Sequence, residues 1–306
     1  MLPALLTALL FAFSAIFGQR AARLFGPLKA NALRLLAACA MLGVLTLLVD
    51  SIRGQTSLHP VVFPALFLSG AVGFGLGDIG LFLAYPRLGA RLTILINFSL
   101  GTLFAAMGDR LWLGEGLKGL QWAGVALVLA GLAAALWPSR VQGRWKEVPW
   151  AGLGFAVVAG AGQGFGTTLS GWANRIAEHG QVTVHGISQA FQRCCAGALM
   201  AVAAWAVWHR WMRQPDGASL KPLPSGPSKN RLFWLAGAAI FGPVLGVSCY
   251  QWARLQLPSA VVVAIAATST LWVIPLARMI DKDRSTGRQV AGTILAAAGI
   301  AVLYLG

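Results

Sequence analysis

The chain has 306 residues, of which 57% are hydrophobic and 11% charged, with a mean hydropathy of +0.70. A soluble globule of this size would need more polar surface than that, so the composition excludes one and calls for lipid. The formal net charge of +15 would suit nucleic acid in a soluble protein. Here the Lys and Arg residues other than Arg34 and Arg193 fall in loops or at the ends of apolar blocks. There they meet headgroups, which makes the lipid bilayer a partner and leaves no nucleic acid to bind.

About 20 apolar residues cross the hydrocarbon of a bilayer as a helix. Ten such blocks occur, at 2–18, 30–49, 61–85, 88–107, 117–137, 150–173, 187–208, 232–253, 258–280 and 289–305, numbered below as spans 1 to 10. Their length and Leu/Ala content favour helices over barrel strands, which would alternate over about ten residues. The fold class is therefore an all-α polytopic membrane protein.

Span 1 lacks a basic leader and a clean cleavage pattern, so it reads as a retained helix and not a signal peptide. Span 2 carries Arg34, near enough to one end to snorkel to the interface; the alternative is that Arg34 and Arg193, in the equivalent place in span 7, flank a midplane cavity as a pair of cations that would suit an anionic or zwitterionic substrate. Span 3 contains Asp78 in "GFGLGDIGLF", the one acid well inside a span. An ionisable group at that depth is costly unless it faces a cavity or a partner, which makes Asp78 the first candidate for contact with a substrate. In span 4, Asn97, Gly101 and Phe104 follow at helical spacing, so one face offers a polar group, a gap and a ring. A link between the halves at 140–148 precedes span 6 and its Gln163 in "GAGQGFGTT". Span 7 brings Gln189, Gln192 and Arg193; the Pro-rich loop at 214–228 is too short and polar for a domain. Span 8 has Tyr250 one turn after Gly246, and span 9 has Thr268, Trp272 and Pro275 on one helical face.

Cys39, Cys194, Cys195 and Cys249 all lie inside spans without a Cys-x-x-Cys spacing and read as small packing residues. The four histidines are scattered, so no metal site, cofactor or catalytic residue is expected. Eight tryptophans, among them Trp112, Trp122, Trp150 and Trp208, fit an interfacial belt near span ends.

The chain also repeats itself. At an offset of 168, Gly119, Gln121, Ala123, Gly124, Leu127, Ala130, Gly131 and Ala133 meet identical residues, eight in fifteen positions. The same offset places Thr102-Leu103 on Thr270-Leu271, Arg110 on Arg278, Glu115 on Asp283 and Asp78 on Gly246. Arg34 and Arg193 correspond at a shorter offset. Each half thus holds five spans, and an odd number turns the second half over in the membrane, with a binding site expected at the midplane between halves. The expected layout is 1–138 as the first repeat, 139–149 as linker and 150–306 as the second repeat.

Alternate loops hold 17 and five Lys/Arg, so the positive-inside rule puts both termini outside.

The stretch "LGARLTILINFSLGTLFAAMGDRLWLGEGLKGLQWAGVALVLAGLAAAL" resembles the end of an EamA domain, with a Leu-Gly-Glu turn between a fourth and a Gly-containing fifth span. The chain departs from that pattern at Ser99-Leu100-Gly101, where a proline is common, and at Asp281-Lys282-Asp283, where Leu-Gly-Glu is usual. The resemblance implies a ten-span member of the drug/metabolite transporter superfamily, with two inverted EamA-like repeats and with termini inside, against the loop count. The function expected is a secondary transporter for small metabolites, amino acids or other amphipathic solutes, working as an exporter by alternating access. Substrate contacts are expected from Asp78, Asn97, Arg34, Gln163, Gln189, Arg193, Tyr250, Thr268 and Trp272. Asp78 could bind a proton in competition with substrate, or the protein could be a facilitator. A lipid-carrier translocase is the alternative, and a membrane-embedded lipid-modifying enzyme a more distant one; no oligomer is required. The expected home is a bacterial inner membrane.

Overall fold

The structure, a computed structural model, describes residues 2–114, 119–136, 139–141, 144–146, 149–211, 228–257, 259–281 and 286–305. The loop expected at 214–228 lies outside them apart from Ser228, as do Glu115, Lys282 and Asp283.

Helix α1 (Leu2–Phe25) meets α2 (Pro27–Arg53) across Gly26, whose φ of 84° suits glycine, and Pro27 starts the second helix with φ already fixed. Gly54 closes α2 in the left-handed conformation. Then α3 (Phe63–Gly70) passes through a π-helical segment, Ala71–Gly77, into α4 (Asp78–Gly108). A second π-helical turn, Asp109–Leu113, follows α4, and α5 (Gly119–Leu136) completes the first half. A short antiparallel pair, β1 (Ser139–Val141) and β2 (Arg144–Lys146), leads to α6 (Trp150–His179) and α7 (Gly186–Trp211). After α8 (Ser228–Ala239) comes a third π-helical segment, Ile240–Val244, and α9 (Leu245–Arg254). The chain ends with α10 (Ser259–Ala267), α11 (Ser269–Asp281) and α12 (Gly287–Leu305).

Among the described residues, five helical stretches are long and apolar enough to cross a membrane: Leu2–Phe25, Pro27–Arg53, Phe63–Leu113, Gly186–Arg210 and Arg231–Arg254. Gly119–Val128, Val261–Ala277 and Val290–Gly299 are shorter apolar helices. Phe63–Leu113 covers what the sequence divides into spans 3 and 4. The division falls at Gly89, whose φ of 79° and ψ of 165° break the helix. Contacts with α6 show that the chain turns back there. Gly73 lies against Gly166 and Gly77 against Gly162, whereas Gly101 lies against Gly164 and Gly108 against Thr168. Large apolar side chains such as Leu2, Val44, Leu47, Ile52, Leu199, Val207 and Leu232 remain exposed, as expected of a surface that faces lipid.

The repeat has a packing reason. Helices α5 and α12 run antiparallel, and a Cβ on Gly131 would come 2.6 Å from the carbonyl oxygen of Gly292, while one on Gly299 would come 2.8 Å from that of Gly124. Gly124, Gly131, Gly292 and Gly299, equivalent in the two halves, thus form one of the surfaces by which the halves touch, where absent side chains let backbones approach. Antiparallel pairing recurs between α2 and α7: Gly43 packs on Phe191, Cys39 Sγ lies 3.5 Å from Cys195 Sγ, and Cys194 donates to the Leu35 carbonyl at 3.4 Å. The π-helical segments also correspond, because subtracting 168 from 240–244 gives 72–76, inside Ala71–Gly77.

Candidate functional site

Three of these elements meet in the middle of the bundle: α2, the π-helical segment before Asp78, and α7. One rise of 1.5 Å per residue puts Arg34 and Arg193 each about 10 Å inside the start of its helix. Since the two helices are antiparallel, the two arginines approach the middle from opposite ends.

Arg34 is 4% exposed and pairs through Nη2 with Asp78 Oδ2; the same nitrogen donates to Asn31 Oδ1 at 3.1 Å. Its guanidinium also lies 4.7 Å from the centre of the Phe82 ring. The snorkelling allowed for Arg34 on sequence does not occur, because a carboxylate across the bundle holds the head inside. Arg193 is 2% exposed and lies 5.2 Å from the centre of the Phe74 ring. Among the described residues no acceptor pairs with it, and its Nε is buried without a partner. Gly70 and Gly73 make room for it: a Cβ on Gly70 would collide with the Arg193 backbone, and one on Gly73 would sit 2.8 Å from its Nη2. In the other half Arg34 Nη1 lies close to Gly242 in the corresponding π-helical segment. Each arginine thus presses on the widened turn of the opposite half, and π-helical turns often mark functional places in helices.

Between them is a cavity of about 50 Å³ whose lining includes Arg34, Asp78, Asn97, Gln163, Arg193 and Tyr250. That is room for a water molecule or two. Six of the residues singled out from sequence therefore share one small chamber, drawn from both halves. Gln163 Nε2 donates to Tyr250 Oη at 3.2 Å, and Tyr250 Oη also bonds Thr167 Oγ1 at 2.6 Å. Phe11 and Phe98 stack at 5.6 Å and, with Tyr85, Leu81 and Ile94, supply the apolar wall.

Three candidates lie elsewhere. Gln189 is buried one turn before Arg193 but donates to Asn174 Oδ1 at 2.9 Å and the Val184 carbonyl at 3.0 Å. It lines a larger cavity of about 670 Å³ where α2 ends and α7 starts. Thr268 Oγ1 donates to the Ile265 carbonyl at 2.7 Å, in the break between α10 and α11. Trp272 is 52% exposed on the outer surface.

Sequence reasoning passed over Phe11, Tyr85 and Thr167. Only Thr167 carried a local signal, four residues after Gln163 on one helix face. It also missed a cluster beside the larger cavity: Asp50 accepts hydrogen bonds from Ser57 N and Ser57 Oγ and lies 3.0 Å from His185 Nε2. This cluster ties the end of α2 to the start of α7.

Residues 1–137 and 150–305 match the EamA-like transporter family. The chain belongs to that family. It is accordingly an integral membrane protein, an EamA-domain transporter of the drug/metabolite transporter superfamily that acts on small molecules in a lipid bilayer. A solved crystal structure shares the fold of this EamA protein with a TM-score of 0.65 at 19% identity, covering 99% of this chain and 96% of that one. No curated protein matches.

Proposed function

We propose that this EamA-family protein is a secondary carrier that exports small metabolites, amino acids or other amphipathic solutes, by alternating access at the cavity between Arg34 and Arg193. In this reading the chain makes ten crossings in two inverted repeats, 1–138 and 150–306, joined by 139–149. The observation that carries it is the convergence of polar groups from both halves, Arg34, Asp78 and Asn97 from one and Gln163, Arg193 and Tyr250 from the other, on a single apolar-walled chamber. Inverted repeats place substrate sites at such an interface. The antiparallel contacts of α2 with α7 and of α5 with α12 are those that inverted repeats would make.

The chamber of about 50 Å³ is too small for a metabolite, whereas the cavity of about 670 Å³ beyond Gln189 is not. The state described is therefore one in which the central site is closed and a vestibule lies on the Arg193 side. Helical spans suit an inner membrane, since outer-membrane spans are barrels.

Cells lacking the gene, with and without a plasmid copy, should be loaded with isotopically labelled amino acids and other small amphipathic solutes. Expression should speed the efflux of at least one of them, and Asp78→Asn should change that rate or its pH dependence if a proton is coupled. Efflux equal in both strains for every solute would reject export.

A further inference from the structure

The central chamber is electrically unbalanced. Two arginines line it, and among the described residues Asp78 is the one carboxylate that does so. That carboxylate is taken by Arg34. At the position in the second half that corresponds to Asp78 stands Gly246, so the second arginine has no equivalent acid. Arg193 is left 2% exposed, with its Nε unpartnered and an aromatic face, Phe74, as its neighbour. Asp78 acts on Arg193 only from beyond ion-pair distance, because its carboxylate is bonded to Arg34. A buried guanidinium in that position is costly, and the group that best offsets it is a carboxylate, which matches the planar fork of the guanidinium.

The position of Arg193 adds direction. Gln189, one turn earlier on α7, lines the vestibule, while Arg193 lines the chamber. Arg193 therefore stands on the vestibule side of the chamber, as does Val247 on α9, which follows the vestibule-lining Val244 by one turn. Beyond Arg193 are Phe11, Phe98 and Tyr250, which suit an apolar or aromatic body, and Asn97, whose amide has no hydrogen-bond partner among the described residues.

We propose that the transported solute carries an exposed carboxylate that docks on Arg193, and that organic cations are turned away because the chamber holds no free acid to receive them. This rests on the carrier reading above and names the class of cargo within it.

The test is flux into proteoliposomes, above protein-free liposomes, of matched probes that differ in charge. These are N-acetyl-leucine and N-acetyl-phenylalanine as anions, leucine and phenylalanine as zwitterions, the N-acetyl amides as neutral forms, and leucinamide and phenylalaninamide as cations. Probes with a carboxylate should enter about 10-fold faster than their amides and amines. Arg193→Gln should abolish that preference and Arg193→Lys should keep it at reduced flux. If Arg193→Gln fails to fold, the wild-type ratio and Arg193→Lys decide. Amides or cations moving as fast as carboxylates would overturn the proposal and leave the carrier reading standing. So would an unchanged ratio in a folded Arg193→Gln protein. No flux for any probe would overturn both.

Discussion

Arg34 and Asp78, 44 residues apart, form an ion pair inside the helical bundle, with side-chain exposures of 5% and 13%. Each keeps the other from being an isolated charge in a medium of low dielectric. Breaking such a pair from one side costs about 3–5 kcal/mol, whereas removing both charges costs far less. Arg34→Met and Asp78→Leu should each lower the thermal stability of the purified protein in detergent by an amount in that range. The double variant should lose less than the sum, as coupled neighbours do. Additive losses would contradict the pairing.

The contact of α5 with α12 rests on glycine. Overpacking a tight interface costs about 1–3 kcal/mol, so Gly131→Leu and Gly299→Leu should both lower the melting temperature. Gly119 and Gly287, which share the same sequence repeat, have open space where a Cβ would stand. Gly119→Ala should therefore leave the melt unchanged. Equal losses at Gly119 and Gly131 would show that the helices do not meet as described.

Cys39 on α2 and Cys195 on α7 have sulfurs 3.5 Å apart. Mild oxidation with copper phenanthroline in membranes should join them. With a protease site introduced between the halves, the cleaved protein should then run as one band without reductant and as two with it. Cys39→Ser should abolish the link, and so should Cys195→Ser combined with Cys194→Ser, since Cys194 also reaches Cys39. A failure to cross-link in the otherwise unaltered protein would place α2 and α7 in a different register.

At the vestibule, Asp50 receives Ser57 N and Ser57 Oγ, each at 3.0 Å, and faces His185 Nε2 at 3.0 Å. Hydrogen bonds to a charged group contribute about 1.5–3 kcal/mol. Asp50→Ala should raise hydrogen exchange in the loop around Ser57 and at the start of α7, while the core of α2 stays protected. Exchange unchanged in both segments would mean that the cluster does not hold the two helices together.

How much of this could be read from sequence follows from the range of each interaction. Block length located the helices, since the bilayer sets that length whatever the partners. The repeat at Gly119–Gly131 and Gly287–Gly299 was readable because the same surface serves both halves. Asp78 stood out as a deep acid, but its partner was not readable, because nothing local links residue 78 to residue 34. Helical spacing grouped Thr268 with Trp272 on one face and could not say that the face looks outward: periodicity defines a stripe, and packing decides what it meets. Gln189 likewise shares a face with Arg193, yet one turn is enough to move it from chamber to vestibule. The His185–Asp50–Ser57 cluster joins three segments by side chains that are unremarkable in each alone.

In the proposed mechanism, solutes cross by alternating access through the chamber between Arg34 and Arg193. The most direct measurement is counterflow in proteoliposomes, in which unlabelled solute inside should accelerate uptake of the same labelled solute from outside. Asn97→Trp, which fills the chamber, should abolish that uptake while the protein still melts cooperatively. Uptake that ignores the internal solute, or that persists at full rate in a folded Asn97→Trp protein, would contradict the account.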